Sequence, residues 1–99
     1  MKPPIKIILL LCFLLSSYSY AQNNKLSGKI FSNGEELPYA NIYLKNNKLG
    51  SASDNNGFYE IKNIPNGTFT IIISSVGYKT KSVNLAFNNT QITRDFSLE

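Results

Sequence analysis

Histidine and tryptophan are missing from these 99 residues, and cysteine occurs once, at Cys12. Without histidine the chain lacks the side chain that ordinarily titrates near neutral pH, which excludes the usual proton shuttle and the common zinc ligand sets. A single cysteine cannot close a disulfide within the chain, and it lies in a segment read below as removable. The remainder is then without thiol chemistry. Apolar runs are equally scarce. The longest, Ile7 to Leu15, has nine residues, too few for a bilayer core that takes about 20. Neither sign of charge dominates: the whole chain carries +4, and from Gln22 onward eight basic residues face six acidic ones. The basic residues are scattered, with only Lys79 and Lys81 close in sequence, so there is no nucleic-acid footprint. Outside the first residues no stretch has a helical period.

What is present begins with an export signal. Lys2 and Lys6 precede the run Ile7 to Leu15, and Ser16 to Ala21 is short, polar and small where cleavage needs it. These are the three regions of a secretory signal peptide, with cleavage expected between Ala21 and Gln22. A lipidation site at Cys12 fits less well, since Leu11 is bulky before it and apolar Phe13-Leu14-Leu15 would follow. The expected organisation is a signal peptide over residues 1–21 and one domain over residues 22–99. A domain that small buries only about 60% of its unfolded surface, and here neither metal nor disulfide is available to help.

The domain reads as short strands separated by turns. Lys25 to Phe31 alternates Leu26, Gly28 and Ile30 against Lys25, Ser27 and Lys29, and the glycine implies something packed close over it. After a turn at Ser32 to Glu36, Ala40, Ile42 and Leu44 share one face of a second strand, and Leu49 to Ser53 is a weak edge of small residues. Asp54-Asn55-Asn56-Gly57 and Asn63-Ile64-Pro65-Asn66-Gly67 are turns on either side of Phe58 to Ile61. This spacing predicts a meander of antiparallel strands. Thr68 to Ser75, the most apolar strand, belongs at a centre; Lys79 to Leu85 and Thr90 to Leu98 follow it. The expectation is an all-β fold, a seven-stranded antiparallel β-sandwich.

Several of these segments carry a family resemblance. Gly28-Lys29-Ile30, Asn33 to Ile42, Leu49-Gly50, Ser53 to Tyr59, Ile64 to Gly67 and Ser75 to Tyr78 occur in an order that resembles the carboxypeptidase regulatory-like domain, over about Leu26 to Leu98. The resemblance implies a transthyretin-like (prealbumin-type, Ig-like) sandwich. It is most similar to the amino-terminal extensions of TonB-dependent outer-membrane receptors of Bacteroidetes-type bacteria. It further implies a periplasmic or outer-membrane location and a protein partner, such as a receptor plug or barrel or a component of the TonB system. Tyr39 departs from the family pattern, which often has glycine there, and Ser53 stands where threonine is common.

Sites of chemistry are few. Asp54-Asn55-Asn56-Gly57 starts like a calcium loop, but Glu60 comes too early for its closing ligand, so capping of backbone amides by Asp54 or Asn55 is expected. Asn66-Gly67-Thr68 and Asn88-Asn89-Thr90 match a glycosylation sequon at turn positions. Glu35 and Glu36 point to opposite faces and cannot share a bond. A crosslink of Lys29 with Asn84 or Asn89, assisted by Glu60, requires a buried lysine, and Lys29 alternates outward. No catalytic, cofactor or metal residue is assigned, and the chain is read as a non-enzymatic accessory module. Tyr59, Phe69 and Phe96 fall on inward faces. Tyr39, Tyr43 and Phe58 fall on loop or outward positions, where a partner protein or, in a rival reading, a glycan could stack. The residues leave the partner's identity and the oligomeric state open.

Overall fold

Alternating apolar side chains need a second layer to bury against, and the chain supplies it by crossing repeatedly between two sheets. The computed structural model describes residues 24–99, so the expected signal peptide and its Ala21–Gln22 cleavage site lie outside the described residues. The described residues form nine strands: β1 Asn24–Ser32, β2 Glu35–Glu36, β3 Asn41–Leu44, β4 Gly50–Ala52, β5 Phe58–Ile64, β6 Gly67–Ser74, β7 Lys81–Phe87, β8 Gln91–Thr93 and β9 Phe96–Leu98.

The first sheet is built around β1. On one flank β1 pairs antiparallel with β5 and, further along, with β2; on the other it pairs with β8 and β9. The second sheet has the order β4-β3-β6-β7 and is antiparallel throughout. Leu26, Ile30, Tyr59, Ile61, Ile64, Phe96 and Leu98 from the first sheet meet Ala40, Ile42, Leu44, Ile71, Ile73, Leu85 and Phe87 from the second. Apart from Ala40, each of these side chains contributes about 1.5 to 3 kcal/mol by leaving water. The all-β sandwich is therefore the fold, with β4 at an edge and β6 central.

Three details correct the expectation drawn from spacing. Ser53 to Thr70 is no meander, because β4 and β6 belong to the second sheet and β5 between them to the first; both turns are crossings. The sandwich is not wholly antiparallel, since β8 and β9 run parallel to β1. The last strand also breaks in two at Arg94 and Asp95, and two-residue β2 adds a further segment, which accounts for nine strands where seven were expected.

The break in the last strand lies over a glycine. Register is held across it, with Leu26 opposite Ile92 and Ile30 opposite Phe96, while the link passes directly over Gly28. A Cβ on Gly28 would lie 2.0 Å from the Arg94 carbonyl oxygen. Asp95 completes the seam, its Oδ1 accepting the Lys29 backbone N–H at 2.8 Å. The close approach read from the glycine is thus real, and the element that makes it is the β8–β9 link.

At the opposite end a polar clasp joins three elements. Asn24, an asparagine just ahead of the first alternating strand, is 1% exposed. Its Nδ2 donates to the Ile64 carbonyl and to Asn66 Oδ1, both at 2.8 Å, and its Oδ1 accepts the Thr90 N–H at 2.8 Å. Asn66 Oδ1 also accepts the Asn89 N–H at 3.1 Å. The start of β1 is thereby tied to the β5–β6 and β7–β8 crossings, and every polar atom of the buried amide is satisfied.

Candidate functional site

Four connections meet at the other end of the sandwich: the β1–β2 turn, the β2–β3 link, the β4–β5 crossing and the β6–β7 loop. Asn33 (φ 52°) and Gly34 (φ 79°) form a two-residue hairpin turn of the primed type. In the β4–β5 crossing Asp54 Oδ1 accepts the N–H groups of Asn56 and Phe58 at 2.8 and 3.0 Å. That is the capping role expected of Asp54, and it leaves the carboxylate occupied by backbone.

Ser53 links this crossing to the β2–β3 connection. Its hydroxyl donates to the Leu37 carbonyl at 2.7 Å and accepts the Ala40 N–H at 2.8 Å, with the side chain buried. The backbones pair as well: Ser53 N–H to Ala40 carbonyl at 2.8 Å and Tyr39 N–H to Ser53 carbonyl at 2.9 Å. Between these anchors Tyr39 adopts φ 61°, the left-handed region that suits glycine. The residue is 69% exposed, and its hydroxyl donates to Asn55 Oδ1.

The three exposed aromatics named from sequence do not form one site. Tyr39 and the turn before Phe58 are tied together at the loop end, where Phe58 opens β5 on the outer face of the first sheet. Tyr43 is on β3, on the outer face of the second sheet, where it pairs across with Gly50 and Ile72. Sequence reasoning missed Val76, which is fully exposed in the β6–β7 loop; the Val76-Gly77 pair directly after the most apolar strand was the available signal.

Of the residues expected inside, Tyr59 and Phe96 are buried with ring centroids 6.0 Å apart, and Phe69 is half-buried against Phe87. The Tyr59 hydroxyl donates to the Arg94 carbonyl. Burial raises its pKa above the usual tyrosine range, the Asp95 charge adds to this and Arg94 opposes it. Lys29 is exposed and paired with Glu36, which holds its ammonium above the usual lysine value. Asn84 bonds Thr70 on the second sheet and Glu60 bridges Lys25 and Lys62 at 3.8 and 3.3 Å on the first. The groups needed for a Lys29 crosslink are therefore not brought together.

Among the described residues no group of three acidic, cysteine or histidine side chains could hold a metal ion. Two open clefts lie at the loop end, about 280 Å³ beside Lys79, Lys81 and Ser97 and about 270 Å³ beside Asn33, Glu36 and Tyr78. Their size falls just below the range of small-molecule sites, and neither is enclosed.

The fold and the loop end together define a small β-sandwich module with apolar and aromatic side chains held out at one end. The chain belongs to the CarboxypepD_reg-like domain family, whose model matches residues 26–99. It is similar to TonB-dependent receptor P26 of Formosa agariphila, with 33% identity over 82 residues, 83% of this chain. It spans only 8% of that receptor's length. Among solved structures it resembles a chain in a type II cohesin–X–dockerin complex of Acetivibrio cellulolyticus, an N-terminal interface mutant. The TM-score is 0.67 at 18% identity, covering 76% of this chain and 56% of that one. A C-terminal interface mutant of the same complex matches equally. At that identity the likeness concerns the fold.

Proposed function

We propose that this protein is a non-enzymatic accessory domain of the bacterial envelope, exported through residues 1–21 and cleaved between Ala21 and Gln22. It works by protein contact beside a TonB-dependent receptor, in the periplasm or at the outer membrane. The contact surface is the loop end carrying Tyr39, Phe58 and Val76. Membership of the family and similarity to a TonB-dependent receptor support the setting. The observation that carries the surface is Tyr39 itself, a bulky residue kept at positive φ with its ring in solvent. Strain of that kind is retained where the surroundings use it.

The test is binding of residues 22–99, which contain all nine strands and the core, to a purified receptor plug and to periplasmic TonB-system components. Tyr39→Ala and Val76→Asp, both at exposed positions, are expected to weaken binding at least about tenfold, the range of an interface anchor. Absence of binding to all of these, or indifference to both substitutions, refutes the proposal. A second reading, a carbohydrate-binding module, has Tyr43 in its favour, because that ring stands on a sheet face without charged side chains. Saturable oligosaccharide binding lost on Tyr43→Ala would put this reading in place of the first.

A further inference from the structure

The two outer faces of the sandwich differ in charge. On the first sheet Lys25, Lys29, Glu36, Glu60 and Lys62 form three ion pairs. On the second, the outward strand positions are occupied by Asn41 and Tyr43 of β3, Gly50 and Ala52 of β4, Thr68 to Ser74 in alternation on β6, and Ser82, Asn84 and Ala86 of β7. None of them is charged.

The edges differ as well. Free strand edges recruit other strands unless they are short, irregular or charged. β4 has three residues and β2 two; β8 and β9 are broken at Arg94 and Asp95; β5 carries Glu60 and Lys62 and is interrupted by a bulge. β7 has none of these protections. It runs from Lys81 to Phe87 in unbroken register with β6, without proline and without a charge after Lys81.

The backbone pattern shows which groups this edge presents. The Lys45 N–H donates to the Thr70 carbonyl, so Thr70 and Ile72 turn their backbone groups toward β3, and Ile71 and Ile73 turn theirs toward β7. Strand geometry alternates. Lys81, Val83 and Leu85 therefore bond to β6, and the N–H and C=O groups of Ser82, Asn84 and Ala86 point outward from the sheet edge.

We propose that β7 is a self-association edge, and that a second copy of this chain adds its own β7 antiparallel about a two-fold axis at Asn84. That register places Asn84 opposite Asn84 and Ser82 opposite Ala86, so every outward backbone group on both strands is bonded. Lys81 falls opposite Phe87 and Val83 opposite Leu85, so no like charges meet. The uncharged outer faces of the two copies then continue as one surface across eight strands. A partner carrying charged residues at matching positions would lose this match, whereas the chain is complementary to itself, as an isologous contact requires.

One edge buries less than a standard interface of about 1,600 Å². Association is accordingly expected to be concentration-dependent, with a Kd between about 10 µM and 1 mM. Sedimentation of residues 22–99 over a series reaching about 1 mM should show a monomer–dimer equilibrium. Asn84→Pro removes an outward N–H and leaves the β6 ladder intact, as proline is tolerated on an edge; it should weaken dimerisation at least about tenfold. Asn84→Ala should not, which separates the backbone bond from the Asn84–Thr70 contact. A charge exchange provides a test that does not depend on proline. Ser82→Lys with Ala86→Lys should weaken the dimer several-fold, and Ser82→Lys with Ala86→Glu should restore or tighten it. A monomer throughout the series, a dimer indifferent to Asn84→Pro, or equal behaviour of the two charge variants overturns the proposal. None of these results touches the loop end.

Discussion

At Tyr39 the backbone is held at φ 61° by hydrogen bonds on both sides of the residue, through Ser53 and Ala40. A non-glycine residue in the left-handed region costs about 1 to 2 kcal/mol. Tyr39→Gly should therefore leave the fold intact and raise its unfolding free energy by up to about 1 kcal/mol, after the greater freedom of glycine in the unfolded chain is discounted. Denaturant unfolding of the two forms measures this, and a loss of stability would show that the ring supports the loop rather than being displayed by it. The departure at position 39 was visible in the sequence as a residue where the resemblance has glycine. Its meaning was not, because φ is set by the crossing that carries Ser53. Asn24 shows the same limit from the other side: an asparagine is ordinarily solvated, and only the meeting of two crossings gives its amide buried partners.

Among the elements, the β8–β9 segment shows most about what spacing can reveal. Within the strand expected over Thr90 to Leu98, period-two alternation puts Ile92, Phe96 and Leu98 on one face, and all three turn toward the core. Neither the parallel direction nor the break at Arg94 could be read, since both depend on β1 lying alongside. Gly28→Ala tests that arrangement. The added methyl meets the Arg94 backbone, which cannot swing away like a flexible side chain. The expected loss is about 3 kcal/mol or more, with hydrogen-exchange protection falling first at the Lys29 and Arg94 amides; a loss under about 1 kcal/mol would mean that the seam is loose. Ile64 and Phe87 mark the failures of alternation. Asn63 at φ 59° lies where the β1–β5 register shifts and resets the pattern, so Ile64 is buried three residues after Ile61. Phe87 lies beyond the strand expected over Lys79 to Leu85, yet it closes β7 and is 2% exposed.

For the molecule as a whole, Tyr59 links the two flanks of the first sheet, and its raised pKa gives a pH dependence. In the unfolded chain a tyrosine titrates near about 10, while the folded form keeps Tyr59 protonated beyond that. The folded state then binds more protons than the unfolded one, so stability is full below about pH 10 and declines above it, by up to about 1.4 kcal/mol per pH unit for this group. Lys29 acts in the same direction from the surface. Unfolding curves between neutral and strongly alkaline pH should fall more steeply for the native chain than for Tyr59→Phe, and parallel curves would contradict the assignment. The sequence by itself determined the all-β class, most inward faces and the turn positions, because period-two alternation, glycine and asparagine act locally. Only the tertiary structure decided which strands share a sheet, that β8 and β9 run parallel to β1, and which side chains stand out at the loop end. Those outcomes depend on where the chain crosses between layers, and a crossing is fixed by contacts between residues far apart in sequence.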